Sequence, residues 1–326
     1  MQAIEKAIKD KARALLLDGT VNRVLGWKKG DYFYDNTPSI LGVDDIGDLV
    51  YNCFCGANLS KYLINESRRE GKVLVLLKPC DTYSFNLLLK EHRIRRDGIY
   101  VLGIPCHGIA DVQKMNMRGI KGIEAIEEND GLLTVSTLYG EKSCKLSDVL
   151  LERCSACKGK EHMVADEVIE DTNPVDIKPY DRFAMVNRLD NMSSEDRFAF
   201  WRSELSKCIR CHACRNACPA CSCLKCVFDN DASGISSKAN VDTSDENMFH
   251  IIRAFHVAGR CTDCGECSRV CPQGIPLHLL NRKIINDINM LYGEYQSGAD
   301  INEPWPLGDY RDDDVEPGAA AEGGKR

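Results

Sequence analysis

The sequence predicts an α/β N-terminal domain with a partly parallel sheet, followed by a smaller cysteine-rich domain flanked by helices. Three observations lead there. Between residues 4 and 104 apolar side chains switch between helical spacing and short buried runs, the pattern of strands joined by crossover helices. Eleven of the 18 cysteines fall between Cys208 and Cys271, which marks a change of composition near Ser193. The 326 residues also exceed the ~250 at which single cores stop growing. The expected boundaries are 1–190, 191–297 and a tail over 298–326.

Each element has its own signal. Ile4, Ala7, Ile8, Ala14 and Leu15 recur at helical spacing, so residues 4–17 read as a helix, and Val21 to Trp27 as the first strand. A second helix is expected over Leu59 to Arg69, after the turn Gly56-Ala57-Asn58. Lys72 to Lys78 is a short buried strand, Asp81 is placed to cap a helix running to Arg93, and Ile99 to Ile104 is the next strand. Together they form a βαβ unit with parallel strands. Leu132 to Leu138 adds another strand. Helices near 194–207 and 277–293 bracket the later cysteines, and from Gly298 the chain turns acidic, with Asp312, Asp313 and Asp314, and reads as an extended arm.

Composition excludes several functions. The longest apolar run, Val73 to Leu77, is far short of the ~18 residues that span a bilayer, and no basic start with an apolar stretch opens the chain. Neither a membrane span nor a signal peptide is expected, and the location expected is cytoplasmic. With 42 basic against 49 acidic side chains the net charge of -7 opposes nucleic-acid binding. Thiols in a reducing compartment stay reduced, so the cysteines are expected to bind metal.

Cys208-Ile-Arg-Cys211-His-Ala-Cys214-Arg-Asn-Ala-Cys218-Pro219 is repeated in full as Cys261-Thr-Asp-Cys264-Gly-Glu-Cys267-Ser-Arg-Val-Cys271-Pro272. This is the run of two-cluster ferredoxins, in which three closely spaced thiolates hold one cubane and the fourth cysteine reaches the other. Cys208, Cys211, Cys214 and Cys271 are therefore expected to hold one [4Fe-4S] cluster, and Cys261, Cys264, Cys267 and Cys218 the second. Zinc is the alternative, but structural zinc has no use for a third Cys-x-x step or the trailing Cys-Pro. The fold expected here is a two-[4Fe-4S] ferredoxin-like domain.

In the first domain Cys80 and Cys106 each lie two residues past a strand end. Adjacent parallel strands stand ~4.8 Å apart, and open sheets bind ligands beyond their carboxyl ends, so both thiols face one crevice. Cys154-Ser-Ala-Cys157 supplies a pair able to complete a third [4Fe-4S] site, and Cys55 is a fifth candidate. The alternative is separate buried thiols acting as small hydrophobes. Cys221, Cys223 and Cys226 extend the first ferredoxin run; with Cys55 and the other four they number eight, enough for a fourth cluster, and a zinc-bound or metal-free loop competes with that reading. No Gly-x-Gly-x-x-Gly follows a strand, so FAD has no fingerprint here, although a flavin bound without one is compatible with the sequence. His107, His162, His212, His250 and His256 show no shared metal spacing and read as solvated or packing residues.

The chain resembles the iron-sulfur β subunits related to deazaflavin-coenzyme hydrogenases and formate dehydrogenases, and an iron-sulfur component of anaerobic sulfite reductase. The resemblance rests on Leu49-Val-Tyr-Asn-Cys-Phe-Cys-Gly-Ala-Asn-Leu-Ser-Lys-Tyr-Leu63, Lys78-Pro-Cys-Asp81, Gly103-Ile-Pro-Cys-His-Gly108, Arg153-Cys-Ser-Ala-Cys-Lys158 and the C-terminal block with its Cys-Pro-Ala-Cys-Ser-Cys extension. It implies an electron-transfer subunit of a multi-subunit anaerobic oxidoreductase, partnered by a flavoprotein, hydrogenase, formate dehydrogenase or heterodisulfide-reductase-like subunit. Many deazaflavin relatives carry the ferredoxin run near the N-terminus and bind FAD; here the run is C-terminal. A flavin-bearing catalytic subunit oxidising a reduced nicotinamide or deazaflavin is the alternative reading, and a zinc-binding structural module the third.

Overall fold

The computed structural model describes residues 1–175, 180–233 and 243–308. Helix α1 (Gln2–Leu17) buries Ile4, Ile8, Ala12, Leu15 and Leu16, the stripe its spacing implies. Strand β1 (Arg23–Lys29) pairs antiparallel with β2 (Asn36–Leu41) on one side and parallel with β3 (Val73–Leu77) on the other. Apolar patterning does not reveal β2 because it is an edge strand carrying Pro38, a position where the missing N–H costs nothing.

The helix expected over Leu59 to Arg69 is much shorter. A 3-10 turn (Leu59–Tyr62) leads into the single turn α2 (Leu63–Glu66), and the chain then leaves helical geometry. Arg23 takes over the capping: its guanidinium donates to the carbonyls of Glu66 and Glu70, each at 2.8 Å.

The βαβ unit is present. Helix α3 (Pro79–Lys90) starts at Pro79, whose fixed φ and missing N–H suit a first helical position, with Lys78 as its cap residue. Asp81 therefore sits inside the first turn, and instead of capping it pairs with Lys78 at 2.8 Å. Lys78 is 1% and Asp81 0% exposed, and Lys78 also donates to the carbonyls of Cys55 and Ala57 and lies over the Trp27 ring. Strand β4 (Ile99–Gly103) runs parallel to β3.

After the short helix α4 (Val112–Met117), capped by Asp111, three strands form a separate antiparallel meander. These are β5 (Ile123–Asn129), β6 (Leu132–Thr137) and β7 (Gly140–Lys145). The strand expected over Leu132 to Leu138 is thus β6, but in a second sheet. Its partners are mostly polar and carry several charges, which hides them from apolar patterning. One helical turn follows as α5 (Glu152–Ser155), and β8 (Glu167–Val168) closes the main sheet, whose order is β2-β1-β3-β4-β8.

Helices α6 (Ala184–Asp190) and α7 (Ser194–Leu205) lead to the cysteine-rich part, which holds α8 (Ala213–Asn216), α9 (Thr243–His256), α10 (Glu266–Arg269) and α11 (Leu277–Tyr292). Ser193 caps α7 by accepting from the Asp196 N–H while its hydroxyl donates to the Asp196 carboxylate. Val186 and Leu189 of α6 pack on Leu279 of α11, so this helix leans on the cysteine-rich part although the expected boundary put it in the first domain. No helix among the described residues is long and apolar enough to cross a membrane.

The arm expected from Gly298 does not extend there. Asn86 donates to the Gly298 carbonyl at 3.0 Å, Lys90 to the Glu303 carbonyl, and Lys90 lies over the Trp305 ring, so residues 298–308 are strapped to α3. The acidic run Asp312 to Asp314 lies outside the described residues. Gly298 has φ +81°, and an added Cβ would stand 2.0 Å from the Tyr83 carbonyl oxygen. Gly298→Ala should therefore free this strap, since the left-handed conformation alone costs an L-residue about 1–2 kcal/mol. Amide exchange should rise at least about tenfold over 298–308 and stay unchanged in β3 and β4; unchanged exchange in the strap would refute the assignment.

Candidate iron-sulfur centres

Strands β3 and β4 end side by side, with Leu77 opposite Gly103 and the Ile104 N–H donating to the Leu77 carbonyl at 2.9 Å. Cys80 enters from the first turn of α3, and Cys106 from the loop beyond β4, which the Tyr51 hydroxyl holds by donating to Pro105 at 2.7 Å. Cys154 sits on α5, with Cys157 just after it. All four line one cavity, and Cys264 of the second ferredoxin run forms part of its wall. Burial pushes the Cys154 thiol up to about 11, with Arg153 pulling the other way, and raises Cys80 as well. Such thiols keep their protons until a cation replaces them.

Cys55 stands apart from this cavity's lining. It is buried in the core, accepts from the Asn52 N–H at 3.4 Å, and burial pushes it up to about 12.

In the cysteine-rich part Cys218, Cys261, Cys264 and Cys267 line a second cavity. Cys208, Cys214 and Cys271 belong to one packed cluster, and the charges of Cys208 and Cys271 both act on Cys214, whose thiol burial raises to about 12. Cys211 is exposed. The two runs share their backbone: Arg210 and Asp263 have φ 54° and 53°, His212 and Gly265 have 59° and 65°, and α8 and α10 follow at the same offset. Left-handed conformations at non-glycine residues are unfavourable and persist only where the surroundings demand them. Here each one turns the chain back around a cysteine.

Cys221, Cys223 and Cys226 face three different surroundings. Cys221 hydrogen-bonds Cys218, which lowers Cys218 to about 6; Cys223 is exposed; Cys226 lies beside Arg215. Their loop is gripped through its backbone, with Arg260 donating to Ala220 at 2.9 Å, Lys61 to Cys221 and Arg93 to Ser222.

Among the described residues no three His, Cys, Asp or Glu side chains converge on a single-ion point. The thiols stand around cavities instead. A single zinc needs its sulfurs at ~2.3 Å from one centre, whereas a cubane holds four thiolates apart by its own width, so the donor sets fit iron-sulfur clusters.

Three polar features carry no signal in the sequence. Arg153 donates to the Cys264 carbonyl at 2.5 Å, to Glu266 at 2.7 Å and to the Gly56 carbonyl at 2.6 Å. Arg269 binds both oxygens of Glu266 at 2.8 Å. Burial would raise the Glu266 carboxyl, but Arg269 and Arg153 together hold it down at about 2. Arg282 likewise ties Asp263 to Glu152, at 2.8 and 2.6 Å, and His278 adds a second contact to Glu152 at 2.6 Å. His107, expected to be solvated or packed, is clamped between Glu128 at 2.6 Å and Asp171 at 2.9 Å. Only the Arg-Cys-Ser-Ala-Cys-Lys segment hints at Arg153; single charged residues have no periodicity to betray them.

A family model for the 4Fe-4S dicluster domain matches residues 204–275. The F420-dependent formate dehydrogenase subunit beta of Methanocaldococcus jannaschii is 24% identical over 356 aligned positions, covering 89% of this chain and 90% of that protein. The F420-dependent formate dehydrogenase 1 subunit beta of Methanococcus maripaludis is 25% identical over 360, covering 90% of each. A chain of the xenon-derivatized F420-reducing [NiFe] hydrogenase complex from Methanosarcina barkeri aligns at 15% identity and TM-score 0.38, over 48% of this chain and 62% of that one.

Arg153→Met should leave Glu266 with one cation and the Cys264 and Gly56 carbonyls without their donor. Breaking one side of a buried ion pair costs about 3–5 kcal/mol. Anaerobic urea unfolding of the cluster-bound chain should register that loss; a change under about 1 kcal/mol would show the joint to be dispensable.

Proposed function

We propose an electron-transfer role for this chain, which is homologous to F420-dependent formate dehydrogenase beta subunits and carries a 4Fe-4S dicluster domain. In this reading it is the iron-sulfur subunit of a cytoplasmic multi-subunit redox complex, relaying single electrons between a flavin, nicotinamide, formate- or hydrogen-oxidising module and a partner reductase. The observation that carries it is that Cys264 borders both cavities, the one lined by Cys80, Cys106, Cys154 and Cys157 and the one lined by Cys218, Cys261 and Cys267. Two redox sites sharing a wall residue are contiguous.

Bound clusters would supply one-electron storage and transfer. The chain's own part is to gather and desolvate the thiols. Cys80, Cys106, Cys154 and Cys157 would hold one cluster; Cys261, Cys264, Cys267 and Cys218 a second; Cys208, Cys211, Cys214 and Cys271 a third, with Cys218 and Cys271 each crossing to the other run. Arg153 keeps the first set against the second, since the residue after it is Cys154 and its guanidinium holds the carbonyl of Cys264. Cys55, Cys221, Cys223 and Cys226 have no ligand role in this proposal.

Two measurements test it. The anaerobically purified chain should carry about twelve irons and twelve sulfides, falling to about eight of each when Cys80 and Cys106 are both changed to Ser; eight irons in the unaltered chain would remove the N-terminal centre. Cys218→Ser, exchanging a soft ligand for a hard one, should perturb the same paramagnetic signal as Cys264→Ser, and a different one from Cys211→Ser. If Cys218→Ser instead matched Cys211→Ser, crossed ligation would be wrong.

A further inference from the structure

Helix α9 turns one face inward, and its buried positions Glu246, Phe249, His250, Arg253 and Ala254 follow the three-and-four spacing of a core stripe. Arg253 is out of character there. It is 1% exposed, and none of its three guanidinium nitrogens has a hydrogen-bond partner. The other buried arginines find acceptors: Arg153 and Arg282 in carboxylates, Arg210 in the Asp245 carbonyl. His250, one turn earlier and also 1% exposed, has neither ring nitrogen partnered, and burial keeps it neutral.

An arginine does not lose its proton, and an uncompensated buried ion costs several kcal/mol. Its place must therefore hold an anion. The side chains acting on it most strongly are the thiols of Cys267, Cys214, Cys218 and Cys221. Cys214 belongs to one proposed cluster set, and Cys218 and Cys267 to the other, so the guanidinium lies between the two. A thiolate-ligated cluster carries negative charge and exposes sulfur atoms that accept hydrogen bonds, and both charge and such bonds set its reduction potential.

We propose that Arg253 is a built-in counter-ion shared by the two dicluster sites, donating N–H groups to the sulfur atoms of bound clusters and raising their reduction potentials. It is a positioning and tuning residue and ligates nothing. A fixed positive charge favours the more negative, reduced form, so its removal should make both clusters harder to reduce. The inference rests on the cluster assignment made above, and the two can fail separately.

The test is a potentiometric titration of the full chain, purified anaerobically and followed by paramagnetic resonance, with iron and sulfide measured in parallel. Arg253→Met removes the charge at similar volume and Arg253→Lys keeps it. Expected for Arg253→Met is an unchanged iron and sulfide content with each dicluster equilibrium shifted at least about tenfold toward the oxidised form, equivalent to about 59 mV. Arg253→Lys should stay within about threefold of the unaltered chain. Intact clusters with unshifted potentials in Arg253→Met would overturn the counter-ion role and leave the relay untouched. Absence of iron and sulfide from the unaltered chain would instead overturn the relay. If Arg253→Met fails to hold clusters, the unaltered chain grown with nitrogen-15 arginine decides: a nitrogen hyperfine coupling to the reduced clusters, lost in Arg253→Lys, supports the role, and no coupling refutes it.

Discussion

One buried carboxylate joins the two halves of this molecule. Glu266 belongs to the second ferredoxin run, yet one of its two guanidinium partners, Arg153, comes from the α/β half, and the Asn58 N–H from the same half donates to it at 3.2 Å. A buried carboxylate is stable only when fully paired, so it demands that both halves be present and in one relative position. Because Arg153 adjoins Cys154 and Glu266 adjoins Cys267, the pairing that satisfies the charge also sets two groups of thiols against each other. A second line of bonds reinforces the register, from Asn58 to Ser84 at 2.9 Å and from Ser84 to Thr262 at 2.9 Å, and Thr262 stands between Cys261 and Asp263.

The duplicated run shows how that joint has marked the sequence. Both copies need a left-handed residue four positions after their first cysteine, and the first copy uses His212 while the second uses Gly265. The glycine has a local cause. A Cβ at Gly265 would come within 2.9 Å of the Arg153 side chain, so only the copy that faces the α/β half must give up its side chain. His212, in contrast, has room to pack its ring against Phe249 at 5.4 Å between centroids. The repeat is symmetric in backbone and asymmetric where its neighbours differ.

What is legible in the sequence follows the same division between local and distant causes. α1, β1, β3, α3, β4, α7 and α11 are visible because each carries its own apolar period or cap. The doubled cysteine run is legible because its spacing is itself the chemistry. β2, β5 and β7 are not, since an edge strand and a polar meander owe their pairing to partners rather than to pattern. The short α2 and the early start of α3 depart from expectation because Arg23 and Pro79, respectively, override propensity at those ends. Among site residues, Cys80 and Cys106 can be placed from parallel strand ends alone, whereas the isolation of Cys55 depends on Asn52 and on core packing that no spacing encodes. Arg153, Arg253 and His107 are hidden for the same reason: a single charged residue on a helix or loop looks like solvated surface until its surroundings are known.

The distribution of charge makes sense of this. The chain as a whole is acidic at -7, a balance that disfavours gathering further negative charge. Around the thiols the local balance is reversed. Lys61 and Arg93 grip the carbonyls of Cys221 and Ser222, Lys158 donates to the Thr262 carbonyl, and Lys160 to that of Cys106. Each of these cations is tied to the backbone, which fixes its position without neutralising it as a carboxylate would. A charge anchored on a neutral carbonyl keeps its field, and the field falls on the nearest anions, which are sulfurs. Arg260 stands between the two kinds, since it binds the Ala220 carbonyl and the Glu91 carboxylate together. Cations paired with carboxylates, such as Arg153 and Arg282, hold the halves together, while those paired with carbonyls, or with nothing as for Arg253, shape the potential around the thiols. The same residue type thus does structural or electrostatic work according to the partner it is given, and the buried partners divide along the boundary between the joint and the thiol sites.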